Sequence, residues 1–301
     1  YEFKVEKYWE PNFKIDQFHT EEYFITQLQA ILEETVAPPF RSDVPFGNSL
    51  RGGIDSSLVT IMASKLLNKP IKSFSGAFKE GPEFNELEYA RIAAKTANAE
   101  LLEIFPTEQE FIDLIPKLIY HLDEPVAGPG LFPQFIVSRL ASKHVKVILG
   151  GQGGDEIFGG YTRYLVAYLE QALKGAIFQS NEEAEHIVSL ESILPNLPTL
   201  KQYIPMMKSF WNEGAFENMD RRYYHLIDRM GTTIEFFQPE FIKECNHEAI
   251  FNKFSGYFNN PDTKSYFNKM THFDMFGSLP GLLQVEDRVS MSVSIESRVP
   301  L

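Results

Sequence analysis

Apolar residues first recur at helical spacing after Thr20, which can cap a helix carrying Phe24, Leu28, Ile31 and Leu32, with Pro38-Pro39 just beyond its end. Residues 1–19 hold aromatics and Pro11 without a period, and read as an extended linker lying on a neighbouring surface. An apolar run then reaches Phe46 and breaks at the paired Gly52-Gly53. Beyond the break Leu58, Ile61, Met62, Leu66 and Leu67 predict a helix that closes near Asn68 and Pro70. Strands are predicted over 71–78, 100–105 and 145–149. Between them lie helices over 85–97, opened by Asn85 with Glu88, over a stretch begun by the Thr107/Glu110 capping box, and over 131–142. The capping-box helix is expected to bury Phe111, Ile115, Leu118 and Ile119. Past about residue 160 the strands stop, and the spacing over 161–173 and later is helical, interrupted at Pro195, Pro198, Pro205 and Pro239.

Strands alternating with helices at this spacing predict an α/β fold: a parallel sheet with helices on both faces, followed by a mainly helical C-terminal half. The expected division is a linker over 1–19 and one domain over 20–301, with its α/β core at about 20–160 and its helical part at about 161–301. Because the chain opens on Tyr1 and stops at Val299-Pro300-Leu301, that domain is expected to be truncated at its C-terminus. Ligands of such sheets bind beyond the carboxyl ends of the strands. Two glycine-rich segments, around residue 52 and over 150–154, follow strands and should meet at that edge.

With 301 residues, 44% of them hydrophobic, the chain can bury a full core. A net charge of -13 and a pI near 5.1 argue against nucleic-acid backbones and anionic membranes as partners, so an anionic ligand must be met by local donors. The single Cys245 leaves no intrachain disulfide framework, and neither a signal peptide nor a membrane-length apolar run is present. The expected setting is the cytoplasm.

The chemistry begins at residues 44–58. Gly52 and Gly53 let backbone N–H groups close on an anion, while Ser56 and Ser57 sit where the next helix presents its positive end. Asp55 would repel a phosphate unless a cation lay between, which points to Mg²⁺ bridging to a nucleotide. Gly53 and Ile54 stand where a Walker loop needs Lys and Ser or Thr, so that motif is excluded, as is the dinucleotide fingerprint. The second segment packs six glycines into the eleven residues from Gly150 to Gly160 around Asp155-Glu156, a composition suited to close backbone approach and to metal or proton chemistry.

The first loop resembles the S-G-G-x-D-S loop of the ATP pyrophosphatases, with Arg51 in place of the first serine. Three ordered segments then resemble the synthetase domain of the glutamine-dependent asparagine synthetase family: 50–57; Gly-Gly-Gln-Gly-Gly-Asp-Glu-Ile-Phe-Gly-Gly-Tyr over 150–161; and Val-Glu-Asp-Arg-Val-Ser-Met from Val285 with Glu-Ser-Arg-Val-Pro from Glu296. The resemblance implies an adenine nucleotide alpha hydrolase-like, five-stranded parallel sheet. It also implies a carbon–nitrogen ligase that adenylates a carboxylate, the aspartate side chain, with release of pyrophosphate, after which ammonia displaces AMP. Implied ATP-site residues are Ser49, Leu50, Gly52, Gly53, Asp55, Ser56, Ser57, Ser75, Gly76, Gly150 and Gly151, with Mg²⁺ on Asp55 and Asp155. Arg51, Gln152, Asp155 and Glu124 are the implied catalytic positions, and Glu296 and Arg298 are either substrate contacts or a structural ion pair.

Three departures accompany the match. Gln152 replaces a glutamate that handles ammonia's proton in the family; Arg51 either grips pyrophosphate or fills its space; and residues 127–130 lack the polar groups often found there. These keep two alternatives open, a related amidotransferase or cyclase with another carboxylate and a non-catalytic nucleotide binder. A glutaminase domain or partner as ammonia source, a later lysine beyond Leu301 and a homodimer belong to the same set of expectations. The seven histidines show no metal-ligand spacing, Cys245 shows no activation, and Tyr223, Tyr224, Phe236 and Phe237 read as packing.

Overall fold

The computed structural model describes residues 3–37, 42–67, 70–79, 85–124, 128, 130–179 and 190–301. The stops expected at Pro38-Pro39 and Asn68, and residues 127 and 129 of the segment 127–130, fall outside those residues. The chain divides into two compact units, one joining Phe18–Ile157 to Gly277–Leu301, the other joining Tyr1–Gln17 to Phe158–Phe276.

The first unit runs α1 (Glu21–Val36), β1 (Phe46–Ser49), α2 (Ile54–Leu67), β2 (Lys72–Gly76), α3 (Leu87–Thr96), β3 (Glu100–Ile104), α4 (Glu108–Leu122), α5 (Leu131–Ala141) and β4 (Val147–Leu149), then begins α6 (Gly154–Phe158). The chain returns to it with the helix Leu279–Met291 and the strand β5 (Glu296–Arg298). All pairings are parallel, in the order β3-β2-β1-β4-β5. The expected α/β sheet is therefore present. Its fifth strand, however, comes from the far end of the chain, where the spacing shows only helices: Glu-Ser-Arg is too short and polar for its period to be read.

Thr20 accepts the Tyr23 N–H at 3.4 Å and caps α1, and at α4 Glu110 N–H donates to Thr107 Oγ1 (3.2 Å) while Thr107 N–H donates to Glu110 Oε2 (3.1 Å). Both caps follow the sequence. The buried faces differ. Phe24, Leu28 and Ile31 of α1 are exposed beside the buried Leu32 and Val36, and α4 buries Leu118 and Leu122 while Phe111 and Ile119 face solvent. The reason in α4 is that its last turns carry the contact: Leu118 and Leu122 pack with Leu131, Phe132, Phe135 and Val289, which also seats the helix Leu279–Met291 against α5.

The second unit is helical and centred on the helix Thr162–Phe178. Inside it Arg222 donates to Glu170 at 2.6 and 2.7 Å, with both side chains about 5% exposed or less. Asp274 accepts from Arg163 (2.8 Å), Tyr164 (2.6 Å) and Tyr223, and burial together with that carboxylate keeps both phenols protonated. Removing one partner of a buried ion pair leaves the other charge uncompensated. Arg222→Ala is therefore expected to destabilise this unit by about 3–5 kcal/mol, read as a shifted denaturant midpoint, whereas an apolar replacement of both Arg222 and Glu170 should cost far less. Tyr223 is packed as the sequence predicts, but Phe236 is 79% exposed, so its reading as a packing residue does not hold.

Candidate active site

The strand order reverses between β1 and β4: successive strands lead away from β1 through β2 to β3, and the later ones lie on its other side. In an open parallel sheet that switch point leaves a crevice outside the carboxyl ends of the two strands. Phe46, Gly47 and Asn48 stand in register with Val147, Ile148 and Leu149, so the loops that follow β1 and β4 leave the sheet side by side. These are the two glycine-rich segments.

A buried polar network fixes where the first loop starts. Asn48 accepts from Ser73 Oγ at 2.8 Å and donates to Thr60, whose hydroxyl donates to the Ser56 carbonyl at 2.6 Å, so β1, β2 and α2 are tied together beneath the turn. Leu50 is fully buried and its N–H donates to Phe74 O at 2.9 Å. Gly52 has φ +105°, and a Cβ there would lie 2.4 Å from the Glu86 carbonyl, so glycine is required on two counts. Gly53 differs: a Cβ on it would meet nothing within 4 Å. Arg51 N–H donates to Ser56 Oγ (3.3 Å) and that hydroxyl donates to Gly53 O (3.3 Å), closing the turn, while Ser57 N–H donates to the same carbonyl (3.1 Å).

The second loop lies directly on the first. A Cβ on Gly151 would sit 2.8 Å from Ser56 N, and one on Gly154 would sit 2.4 Å from the Asp55 carboxyl carbon. This contact brings Asp155 toward Asp55. Burial, and then the charge of Asp155, hold the Asp55 carboxyl above its ordinary range, against the opposing pull of its own backbone N–H and of Arg51. A carboxylate held beside a second one in this way gains from a cation placed between the two. Among the described residues no group of three or more His, Cys, Asp or Glu side chains could hold a metal.

At the end of β2, Ser75 is 1% exposed and its hydroxyl has no hydrogen-bond partner among the described residues. Such a hydroxyl is free to bond a group that reaches the carboxyl end of β2. Gly76 follows it, tight against Val137. The Arg51 side chain is exposed, so it does not fill the turn, and its positive charge acts on both Asp55 and Glu286.

Of the residues singled out from sequence, the structure brings together the 49–57 turn, Ser75-Gly76, Gly150, Gly151, Gln152 and Asp155. Glu124 is exposed just past Asp123, which ends α4 with φ +62° and pairs with Arg288 at 2.8 Å, and no hydrogen bond or ion pair among the described residues ties Glu124 to either loop. Glu296 and Arg298 pair with each other at 2.7 Å, while the Arg298 carbonyl accepts the Gly150 N–H at 2.9 Å. Sequence reasoning passed over Glu286. It sits in the helix Leu279–Met291, buried at the same edge, and its one visible signal was an acid among apolar positions of a matched segment.

The family model described as asparagine synthase matches residues 27–301. The chain belongs to the asparagine synthase family. A Mycobacterium bovis relative is 31% identical over 286 residues, covering 91% of this chain and 40% of its own length. Asparagine synthetase [glutamine-hydrolyzing] 1 of Bacillus subtilis is 30% identical over 296 residues, 97% of this chain and 44% of that protein. The asparagine synthetase [glutamine-hydrolyzing] of Zea mays is 36% identical over 146 residues, 44% of this chain and 24% of its own. The chain thus spans about two fifths of the length of the first two relatives. This member of the asparagine synthase family carries both glycine-rich loops, Asp55 and Asp155, with Gln152 in the second loop.

Proposed function

We propose that this chain is the ATP-using half of an amide-forming synthetase, adenylating a carboxylate, in the first instance the aspartate side chain, and passing the acyl group to ammonia. The observation that carries the reading is the packing of the two glycine loops, which faces Asp55 toward Asp155 over a turn with open space at Gly53. Backbone N–H groups of that turn and the Arg51 guanidinium would take the β,γ-pyrophosphate. The orphan hydroxyl of Ser75 would meet the nucleoside, and the backbone of Gly150 and Gly151 would face the α-phosphate on the side not packed on Glu286 and the first loop. Asp55 and Asp155 would hold Mg²⁺, which when bound neutralises the leaving pyrophosphate. A carboxylate oxygen leaves poorly, and its conversion to a phosphate ester makes the acyl carbon open to a neutral amine. Ammonia would come from a glutaminase, as the glutamine-hydrolyzing relatives' names imply, and the reaction would take place in the cytoplasm, in a homodimer.

The test is ATP–pyrophosphate exchange by the full-length protein, measured with Mg²⁺ and a panel of carboxylates. Exchange that requires aspartate, with AMP as the nucleotide product, is expected. Exchange with a larger carboxylate alone would reassign the substrate to a related amidotransferase or cyclase, and ADP with phosphate would overturn the reading. Because its guanidinium is exposed rather than packed into the turn, Arg51→Ala is expected to weaken Mg²⁺·ATP binding about tenfold, as loss of a charge-assisted bond does. Calorimetry reads it directly, and tighter binding by the variant would show that Arg51 obstructs the site.

A further inference from the structure

Glu286 is 8% exposed, yet no salt bridge holds it among the described residues. Its partners are neutral donors from three directions: Ser297 Oγ on β5, Gln134 Nε2 on α5 at 3.3 Å, and the Gln152 side chain from the loop after β4. A Cβ on Gly150 would lie 2.8 Å from Glu286 Oε1, which places the carboxyl against the backbone at the carboxyl end of β4. Arg51 is the charged group whose field reaches it. The other arginines on the elements around the helix Leu279–Met291 are engaged elsewhere, Arg288 with Asp123, Arg139 with Glu110 and Arg298 with Glu296.

A carboxyl that served only to hold structure would be matched by a neighbouring cation, because burying an unmatched charge is costly. This one is surrounded instead by groups that stabilise its charged form weakly, while burial pushes its proton affinity up. That is the environment of a general base. The amide-forming step needs one, since ammonia becomes cationic as it bonds to carbon, and Gln152 has no basicity to offer.

We propose that Glu286 is the proton acceptor of the amide-forming step, with Gln152 as the positioning residue that holds its carboxyl at the nucleotide edge. The inference rests on the adenylation reading given above. The nitrogen lone pair of ammonia forms the C–N bond; one N–H proton passes to the Glu286 carboxylate; the C–O bond to AMP breaks, its electron pair leaving on the phosphate oxygen. Glu286 then returns the proton to solvent. The carboxylate that the loop lacks at residue 152 is supplied from a helix more than a hundred residues later.

The experiment measures two half-reactions of the full-length protein, ATP–pyrophosphate exchange and amide formation from ammonium, across pH. Glu286→Gln is expected to lower amide formation by about a hundredfold or more while exchange changes by less than about threefold. The fall of amide formation toward low pH should flatten in that variant. Adding Gln152→Glu to Glu286→Gln should recover at least about tenfold of the lost rate, because the carboxylate is returned to the same edge. Parallel loss of both half-reactions, or no loss of either, overturns the proposal. If Glu286→Gln fails to fold, Ser297→Ala removes one donor to the carboxylate and should move the acid limb to higher pH; an unmoved limb overturns the proposal equally. Exchange absent from the unmodified protein would overturn the adenylation reading itself, an outcome separate from exchange that persists while amide formation ignores Glu286.

Discussion

Asp55→Asn is expected to do two opposite things. In the full-length protein it should reduce ATP–pyrophosphate exchange by about 10²–10³-fold, the scale at which a preorganised electrostatic group is lost, and abolish the thermal stabilisation given by Mg²⁺·ATP. In the ligand-free protein it should raise the melting temperature. The sign follows from the raised proton affinity of Asp55, caused by burial and by Asp155. A carboxyl whose folded-state pKa lies above its unfolded value costs stability once it is ionised, so the penalty is absent well below 3.8 and grows as pH rises through the folded value. Asparagine removes the charge and with it the penalty at neutral pH. Exchange retained within tenfold would exclude Asp55 as a metal ligand, and a lower ligand-free melting temperature would show that another contact of Asp55 outweighs the repulsion.

The glycines of the two loops are expected to fail in different ways when given a methyl group. At Gly52 the new carbon would meet the backbone carbonyl of Glu86 at 2.4 Å with φ at +105°, and neither obstacle can move cheaply. Gly52→Ala should therefore lose about 1–3 kcal/mol of stability, visible in a denaturant melt. At Gly154 the obstacle is the Asp55 carboxyl, 2.4–2.9 Å away, which can rotate aside. Gly154→Ala should leave the melt within about 1 kcal/mol of the parent, as a small local shift does, yet lose exchange nearly as completely as Asp55→Asn. Equal loss of stability in both variants would mean that the second loop is as rigid as the first.

How legible these features were depends on whether a local rule governs them. Thr20, Thr107 and Glu110 announce helix starts through side chains that reach only three residues, and all form as read. The glycine turns were readable because positive φ and close approach demand a residue type. Glu286 was not, since its burial follows from the packing of Val289 against α5, a contact between residues far apart in sequence. The exposure of Phe24, Leu28 and Ile31 was likewise hidden: helical spacing shows that a face exists and is silent on what covers it. The polar strand β5 owes its existence to pairing with β4 rather than to its own residues.

That last pairing sets an order on synthesis. Until residues 296–298 emerge, the apolar strand Val147-Ile148-Leu149 is a sheet edge with unpaired backbone groups, the kind of template on which nascent chains associate. About a hundred and fifty residues, most of them in the helical unit, must be translated in that interval, so the edge stays open for roughly ten seconds or more at ordinary elongation rates. Pairing also brings Ser297 to Glu286 and the Arg298 carbonyl to Gly150, so the same three residues cover the β4 edge and reach the proposed site. A ribosome stalled before them would hold a chain whose β4 edge is still open to association.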